Sequence, residues 1–222
     1  MKKFILGLLL LSTFTTFAQT NLQVNYDFGE GRKYITSTLE MFKTDKWGNT
    51  FFFVDMDFNG THAPGGSYME IARCINTWGG PLSAHVEYNG GLGSLFGGYG
   101  INNAWLGGLD YFMHSKDFSK TLNLKLLYKQ IMGKQASAQF TTVWGLNFFK
   151  NKLTFSGFAD FWLEDNVNTD LSKTSTVFIS EPQLWYNVNE HLSAGGEVEI
   201  SSNFAGTHGL MINPTLGLKW NF

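Results

Sequence analysis

The sequence predicts an all-β fold, a 12-stranded antiparallel transmembrane β-barrel of the outer membrane, over residues 19–222. Three observations predict it. Apolar and polar residues alternate with period two in segment after segment, as strands with a single apolar face require. The charged residues fall on the face opposite the apolar one. Beyond the N-terminus no apolar run is long enough to span as a helix, and the mean hydropathy is −0.10.

The N-terminus reads differently from the rest. Lys2 and Lys3 precede an apolar stretch from Phe4 to Phe17, followed by Ala18 and Gln19. This pattern predicts a secretory signal peptide over residues 1–18, cleaved after Ala18 with Thr16 at the −3 position. The apolar core is too short for a membrane anchor, and no cysteine follows the cleavage point to carry a lipid. The 16 basic and 18 acidic side chains leave no basic excess, which argues against nucleic acid as a partner. Cys74 is the only cysteine, so no intramolecular disulfide forms, and it is expected to pack as a small residue.

The first strand is expected at residues 22–28, where Leu22, Val24, Tyr26 and Phe28 alternate with Gln23, Asn25 and Asp27. The second, at 34–43, sets Ile35, Leu39 and Met41 against Thr36, Thr38 and Glu40. The third, at 50–58, sets Phe52, Val54, Met56 and Phe58 against Phe51, Phe53, Asp55 and Asp57. The fourth covers 67–75. The same alternation places strands at 82–89, 102–114, 122–131, 136–149, 153–164, 176–188, 192–201 and 210–222. The last alternates to a terminal Phe222, as a strand that closes a barrel against lipid does. Connections at 45–49, 79–81, 115–120, 150–152 and 189–191 are short or polar. The other set is mostly longer, at 59–66, 90–101, 165–175 and 202–209, with shorter members at 29–33 and 132–135. Short turns on one side and longer loops on the other are the outer-membrane pattern, and an even strand number puts both termini on the periplasmic side. Pro182 and Pro214 fall inside strands, where each removes a ladder hydrogen bond, so bulges or local irregularity are expected there.

The block TSTLEMFKTDKWGNTFFFVDMDF, residues 36–58, resembles the second and third strands of the nucleoside-specific channel-forming (Tsx-like) outer-membrane family. It is closer still to a bacterial branch of that family filed as a domain of unknown function, DUF5020. The stretch SYMEIARCI, residues 67–75, is similar to the fourth strand of the same pattern, and the terminal Phe222 agrees with it. Residues 90–175 match by periodicity alone. The resemblance implies a 12-stranded barrel with a substrate-binding pore and leaves the substrate open.

Charge assigns the faces. With each strand's apolar parity outward, Asp27, Glu40, Asp55, Asp57, Glu70, Glu87, Asp110, Asp160, Glu164, Glu181, Glu197 and Glu199 point inward, with Lys125, Lys129 and Lys219. On the outward parity only Lys43 and Arg73 are charged, both near periplasmic strand ends where a long basic chain can snorkel. A midplane Arg facing lipid costs about 2–4 kcal/mol, so the pattern is what a lipid-facing surface requires. A soluble β-sandwich would reverse it. Trp47, Trp78, Phe148, Tyr186 and Trp220 fall at periplasmic ends, and Tyr26, Phe28, Tyr88, Trp105 and Tyr128 at outer ends, as two aromatic belts would.

Twelve strands tilted at about 40° give a backbone radius of roughly 12 Å, which leaves a narrow pore or slot once side chains fill it. Inward aromatics offer flat faces and inward carboxylates accept hydrogen bonds, a combination suited to a nucleoside-like solute. Glu40, Phe51, Phe53, Asp55, Asp57 and Glu70 are the first candidates because they stand inside the resembling block. Asp160, Trp162 and Trp185 follow on parity alone. The acidic lumen disfavours anions. The alternative function is a plugged barrel with a structural or surface-interaction role, and after it an outer-membrane lipid hydrolase. No enzyme activity, cofactor or metal is expected. The glycines of 90–100 read as a flexible outer loop, with no following helix to make a phosphate site. His62, His85, His114, His191 and His208 show no metal-ligand spacing. The expected partners are outer-membrane lipid and a small nucleoside-like solute, and the expected state is a monomer.

Overall fold

A computed structural model describes residues 19–59, 65–93 and 99–222. The predicted signal peptide lies outside them, as does His62. The described residues contain no helix and form thirteen strands in one antiparallel sheet. They are β1 (Gln19–Asp27), β2 (Ile35–Asp45), β3 (Gly48–Phe58), β4 (Gly66–Ile75), β5 (Leu82–Gly93), β6 (Tyr99–His114) and β7 (Lys120–Ile131). Then follow β8 (Ser137–Phe148), β9 (Leu153–Val167), β10 (Lys173–Ser180), β11 (Gln183–Asn187), β12 (Leu192–Ser202) and β13 (Leu210–Asn221). Apart from β10 and β11, consecutive strands pair with each other, and β13 pairs with β1 from Asn21↔Asn221 to Asp27↔Thr215, which closes the sheet.

β10 and β11 are two halves of one stave, so the barrel has twelve. Both halves pair with β9 and with β12, and the register against each is the same before and after the break. The interruption falls at Glu181 and Pro182. Proline has no N–H to donate, so the ladder lapses there. It recovers through Glu181 N donating to Phe158 O at 3.1 Å and Val198 N donating to Pro182 O at 3.0 Å. Gly157 lies against this break with φ +152°, and a Cβ on it would stand 2.4 Å from the Glu181 carbonyl oxygen.

Pro214 behaves otherwise, because β13 runs through it unbroken. Its carbonyl accepts from Phe28 N at 2.9 Å, so the missing donor faces the β1 side just past the end of β1. Only the reciprocal bond to Phe28 O is lost, at the last rung of that ladder. The irregularity nearby is on the β12 side, where Glu197 N donates to Thr215 Oγ1 at 3.0 Å.

The hairpins at the loop end are longer than the alternation suggests. β5 continues to Gly93 and β6 begins at Tyr99, so the glycines at 90–93 are strand rather than loop. A Cβ on Gly91 would stand 2.3 Å from Ser67 O, and the register shifts between Asn89 and Gly91. Glycine serves close strand approach and a bulge here. β9 likewise extends to Val167, which reduces the expected loop at 165–175 to a short turn. Residues 60–64 and 94–98, parts of two other predicted loops, lie outside the described residues.

The faces follow the predicted parity. On β1, Leu22, Val24 and Tyr26 are exposed while Asn21, Gln23, Asn25 and Asp27 are buried. The same inversion holds around the barrel, with Leu109, Leu126, Phe161, Leu184 and Leu218 on the outside and His85, Asp110, Gln139 and Asn213 inside. Charges of outward parity stand at strand ends: Lys43, Asp45, Arg73 and Lys120 at the short-turn end, Asp165 at the loop end. Arg73 bends to Asp45 at 2.8 Å and to Thr50 at 3.0 Å. Exposed rings ring both ends, Trp47, Trp78, Tyr186 and Trp220 at one and Tyr26, Phe28, Trp105 and Tyr128 at the other.

Candidate functional site in the barrel lumen

Adjacent-strand register builds the lumen wall from the resembling block. Glu40 on β2 pairs with Phe53 on β3, and Phe53 pairs with Glu70 on β4. Asn21 and Asn89 flank this row on β1 and β5. Asn21 Nδ2 donates to Glu40 Oε1 at 2.9 Å, and Asn89 Nδ2 donates to Glu70 Oε1 at 3.2 Å. Tyr68 OH donates to the same Glu70 oxygen at 2.7 Å. The Phe53 ring lies 6.0 Å from both the Phe51 and Tyr68 rings. One continuous row of five strands thus holds two carboxylates about an aromatic ring. One row along, Asp55 pairs with Thr38 and Tyr68, and Asp57 pairs with Thr36 and Gly66 nearer the loop end.

Asp160 and Trp162 stand on the facing wall, on β9. Asp160 pairs with Thr141 and Ile179, and Trp162 with Gln139 and Val177. Glu70 on β4 has Glu87, Asp160 and Lys129 as Coulombic neighbours, so the two walls feel each other across the lumen. Lys129 Nζ donates to Gln139 Oε1 at 2.7 Å and lies 3.7 Å over the Trp162 ring. Trp162 Nε1 donates to Glu164 Oε2 at 2.8 Å, and Phe204 of the β12–β13 loop meets its ring edge-on. Trp185 is apart from these residues, toward the short-turn end. It is 1% exposed, with Lys219 Nζ 4.3 Å over its ring and Gln183 Oε1 accepting from its Nε1. It borders a vestibule of about 530 Å³ at that end, with Lys152, Thr154, Asn187, Ser193 and Asn221. Both tryptophans therefore have one ring face against a lysine, whereas no cation lies over Phe51 or Phe53 among the described residues.

Buried acceptor capacity remains in the wall. Asp55 Oδ1 and Asp160 Oδ1 have no hydrogen-bond partner among the described residues, nor do Asn25 Oδ1 and Asn213 Oδ1. Buried polar atoms are ordinarily paired, so these are the positions where a passing donor gains most.

Period-two reading missed three features. Arg32 folds back from the β1–β2 loop into the mouth, 3.2 Å from Asp27 and 2.8 Å from Glu199. Burial pulls its guanidinium pKa down, but the charge of Glu199 and its hydrogen bond outweigh that and hold it above the ordinary value. Beside it, burial and the nearby Asp57 push the Tyr34 phenol up to about 12. Lys134, from the β7–β8 turn, likewise reaches Glu164 at 3.4 Å. The only sequence signal for either is a basic residue in a turn next to inward acids. The inner wall also carries apolar clusters, Ala104, Leu106 and Leu127 in one and Trp162, Val177 and Ile179 in the other. Alternation hides these, since both faces of those strands are apolar there.

Comparison with known proteins fits this geometry. The family model described as a domain of unknown function (DUF5020) matches residues 18–222. No curated protein matches the chain. Among solved structures, the NanC porin is similar at 10% identity with a TM-score of 0.62, over 91% of this chain and 100% of that one. The KdgM porin in complex with disordered oligogalacturonate is similar at 12% identity with a TM-score of 0.53, over 92% of this chain and 99% of that one. At such identities the likeness is one of fold. The chain belongs to the DUF5020 family, and it builds that domain as a closed twelve-stave barrel with the fold of these porins.

Proposed function

We propose that the protein is an outer-membrane channel for nucleosides or similar small neutral solutes. The observation that carries this reading is the cross-strand row of Glu40, Phe53 and Glu70 with Asp55 beside it. A planar base stacks on Phe53 and its neighbours, and ribose hydroxyls donate to the carboxylates. Each contact is weak enough to release, so the solute moves by successive exchange along the wall. The Tsx-like resemblance of residues 36–58 and 67–75 agrees with this assignment. The apolar exterior with charges confined to strand ends supports placement in lipid, with residues 1–18 as the export signal and the monomer as the working unit.

Charge sets the solute class. Arg32 and Lys134 add to the inward lysines, yet the twelve inward acids still outnumber the cations by more than two to one. The KdgM structure holds an oligogalacturonate, an acidic sugar, and that cargo does not carry over, because an acidic lumen repels it.

A second reading is a plugged barrel with a structural or surface-interaction role. It draws on Gln23, Asn25 and Asn213, inward residues that are each 1% exposed. Single-channel recording in planar bilayers separates the two. The channel reading expects a small cation-selective conductance that nucleosides block reversibly. Phe53→Ala should weaken the block about 5-fold, equivalent to about 1 kcal/mol of stacking. A folded barrel with no conductance at all would favour the plugged reading.

A further inference from the structure

Three strands bring Cys74, His85 and Asp110 together at the short-turn end of the inner wall. Cys74 on β4 pairs directly with His85 on β5, and His85 pairs with Gly108 on β6, two residues from Asp110. Cys74 Sγ is 3.3 Å from His85 Nδ1 and 3.3 Å from Asp110 Oδ2. The ligand atoms of all three lie within 4.8 Å of one another, and all three residues are buried. Sequence spacing could not reveal this set, because its members are 11 and 25 positions apart and meet only through register.

From this cluster we propose a transition-metal site, of the zinc class, in the lumen wall. The donor set is one thiolate, one imidazole and one carboxylate, which suits a borderline ion rather than calcium or magnesium. The spacing suits it as well. Tetrahedral zinc with bonds of about 2.3 Å to sulfur and about 2.0 Å to nitrogen or oxygen sets its ligands about 3.5 Å apart. The two 3.3 Å separations from sulfur need only a small expansion, and the third pair lies within 4.8 Å.

The surroundings hold each ligand for the role. His85 Nε2 lies 2.9 Å from Glu87 Oε2, so this nitrogen donates to the carboxylate and leaves Nδ1 free to bind the ion. Such carboxylate–histidine–metal arrangements orient the ring and raise its basicity. Asn123 Nδ2 donates to Asp110 Oδ1 at 2.7 Å, which fixes the carboxylate with Oδ2 toward the thiol. Charge balances too, since binding displaces the Cys74 proton and a divalent ion then meets one thiolate and one carboxylate. Lys125, paired with Asp110 across β6 and β7, is the competing cation. Three protein ligands leave a fourth position for water or a donor atom of a solute.

Cobalt titration of the purified, folded barrel in detergent tests the site, because a thiolate on cobalt gives a near-ultraviolet charge-transfer band. The expected result is one equivalent of Co²⁺ with that band, displaced by one equivalent of Zn²⁺. Cys74→Ser should abolish the band and weaken Zn²⁺ binding at least 10-fold. Glu87→Gln, which touches no metal, should weaken it about 10-fold while keeping the band. No band from the wild-type barrel at micromolar Co²⁺ would overturn the proposal, whether or not the variants fold. A Cys74→Ser barrel that binds Zn²⁺ as tightly as wild type would overturn it equally.

Discussion

Arg32 leaves its loop to meet two acids that belong to different staves, Asp27 on β1 and Glu199 on β12. It closes a gap that no backbone pairing spans, because β13 lies between those strands. Removing one partner of a largely buried ion pair leaves the others uncompensated. Arg32→Ala should therefore destabilise the barrel by about 1–3 kcal/mol, at the lower part of the buried-pair range because the side chain retains some exposure. A guanidinium unfolding midpoint unchanged from wild type would contradict this. Residue by residue, the candidate site divides in legibility. Glu40, Phe53, Asp55 and Glu70 were legible because their inward direction follows from period two alone. The cations over Trp162 and Trp185 were not, since a lysine's reach depends on which strand lies opposite. Arg32 was hidden for a different reason: a loop residue has no parity to read.

At the level of the strand, the sequence marked twelve staves and their faces, and the pairing follows them. What it left open was how the barrel absorbs its two prolines. Pro214 forfeits a single bond, to Phe28 O, at the end of the β1 ladder, and its strand stays unbroken. Pro182 does break its stave, and the two halves keep one register because Gly157 lets β9 approach the Glu181 carbonyl. That fit depends on a close approach between neighbours, which composition cannot report. Gly157→Ala should lower stability by about 1–3 kcal/mol, since the new Cβ meets backbone and the φ of +152° is strained for any other residue. Thermal loss of the compact, heat-modifiable form is the measurement. Gly133→Ala, in an open turn with φ +81° and nothing near its Cβ, separates backbone strain from the clash. If the two variants melt alike, the close approach is not what Gly157 provides. The glycines of β5 teach the same lesson in reverse: they looked like loop and instead serve strand contact at a bulge.

The whole molecule is inside out relative to a soluble β-protein. Its outer face is leucine, valine and phenylalanine with charge only at the strand ends, and its inner face is carboxylate, amide and imidazole. This inversion was the strongest signal in the sequence, because lipid penalises an outward charge everywhere except near the strand ends. Closure of the sheet was legible for the same reason, since an open edge has no place in hydrocarbon. The triad of Cys74, His85 and Asp110 marks the limit of that reading, because it needs three registers to be known together. The central claim is that this acidic, aromatic-dotted lumen passes neutral nucleoside-like solutes, and uptake into liposomes carrying the folded barrel tests it most directly. The expected order is nucleosides faster than neutral sugars of similar size and both faster than galacturonate, with Asp55→Ala reducing the nucleoside preference. Galacturonate entering as fast as nucleosides, or no solute entering at all, would contradict the account.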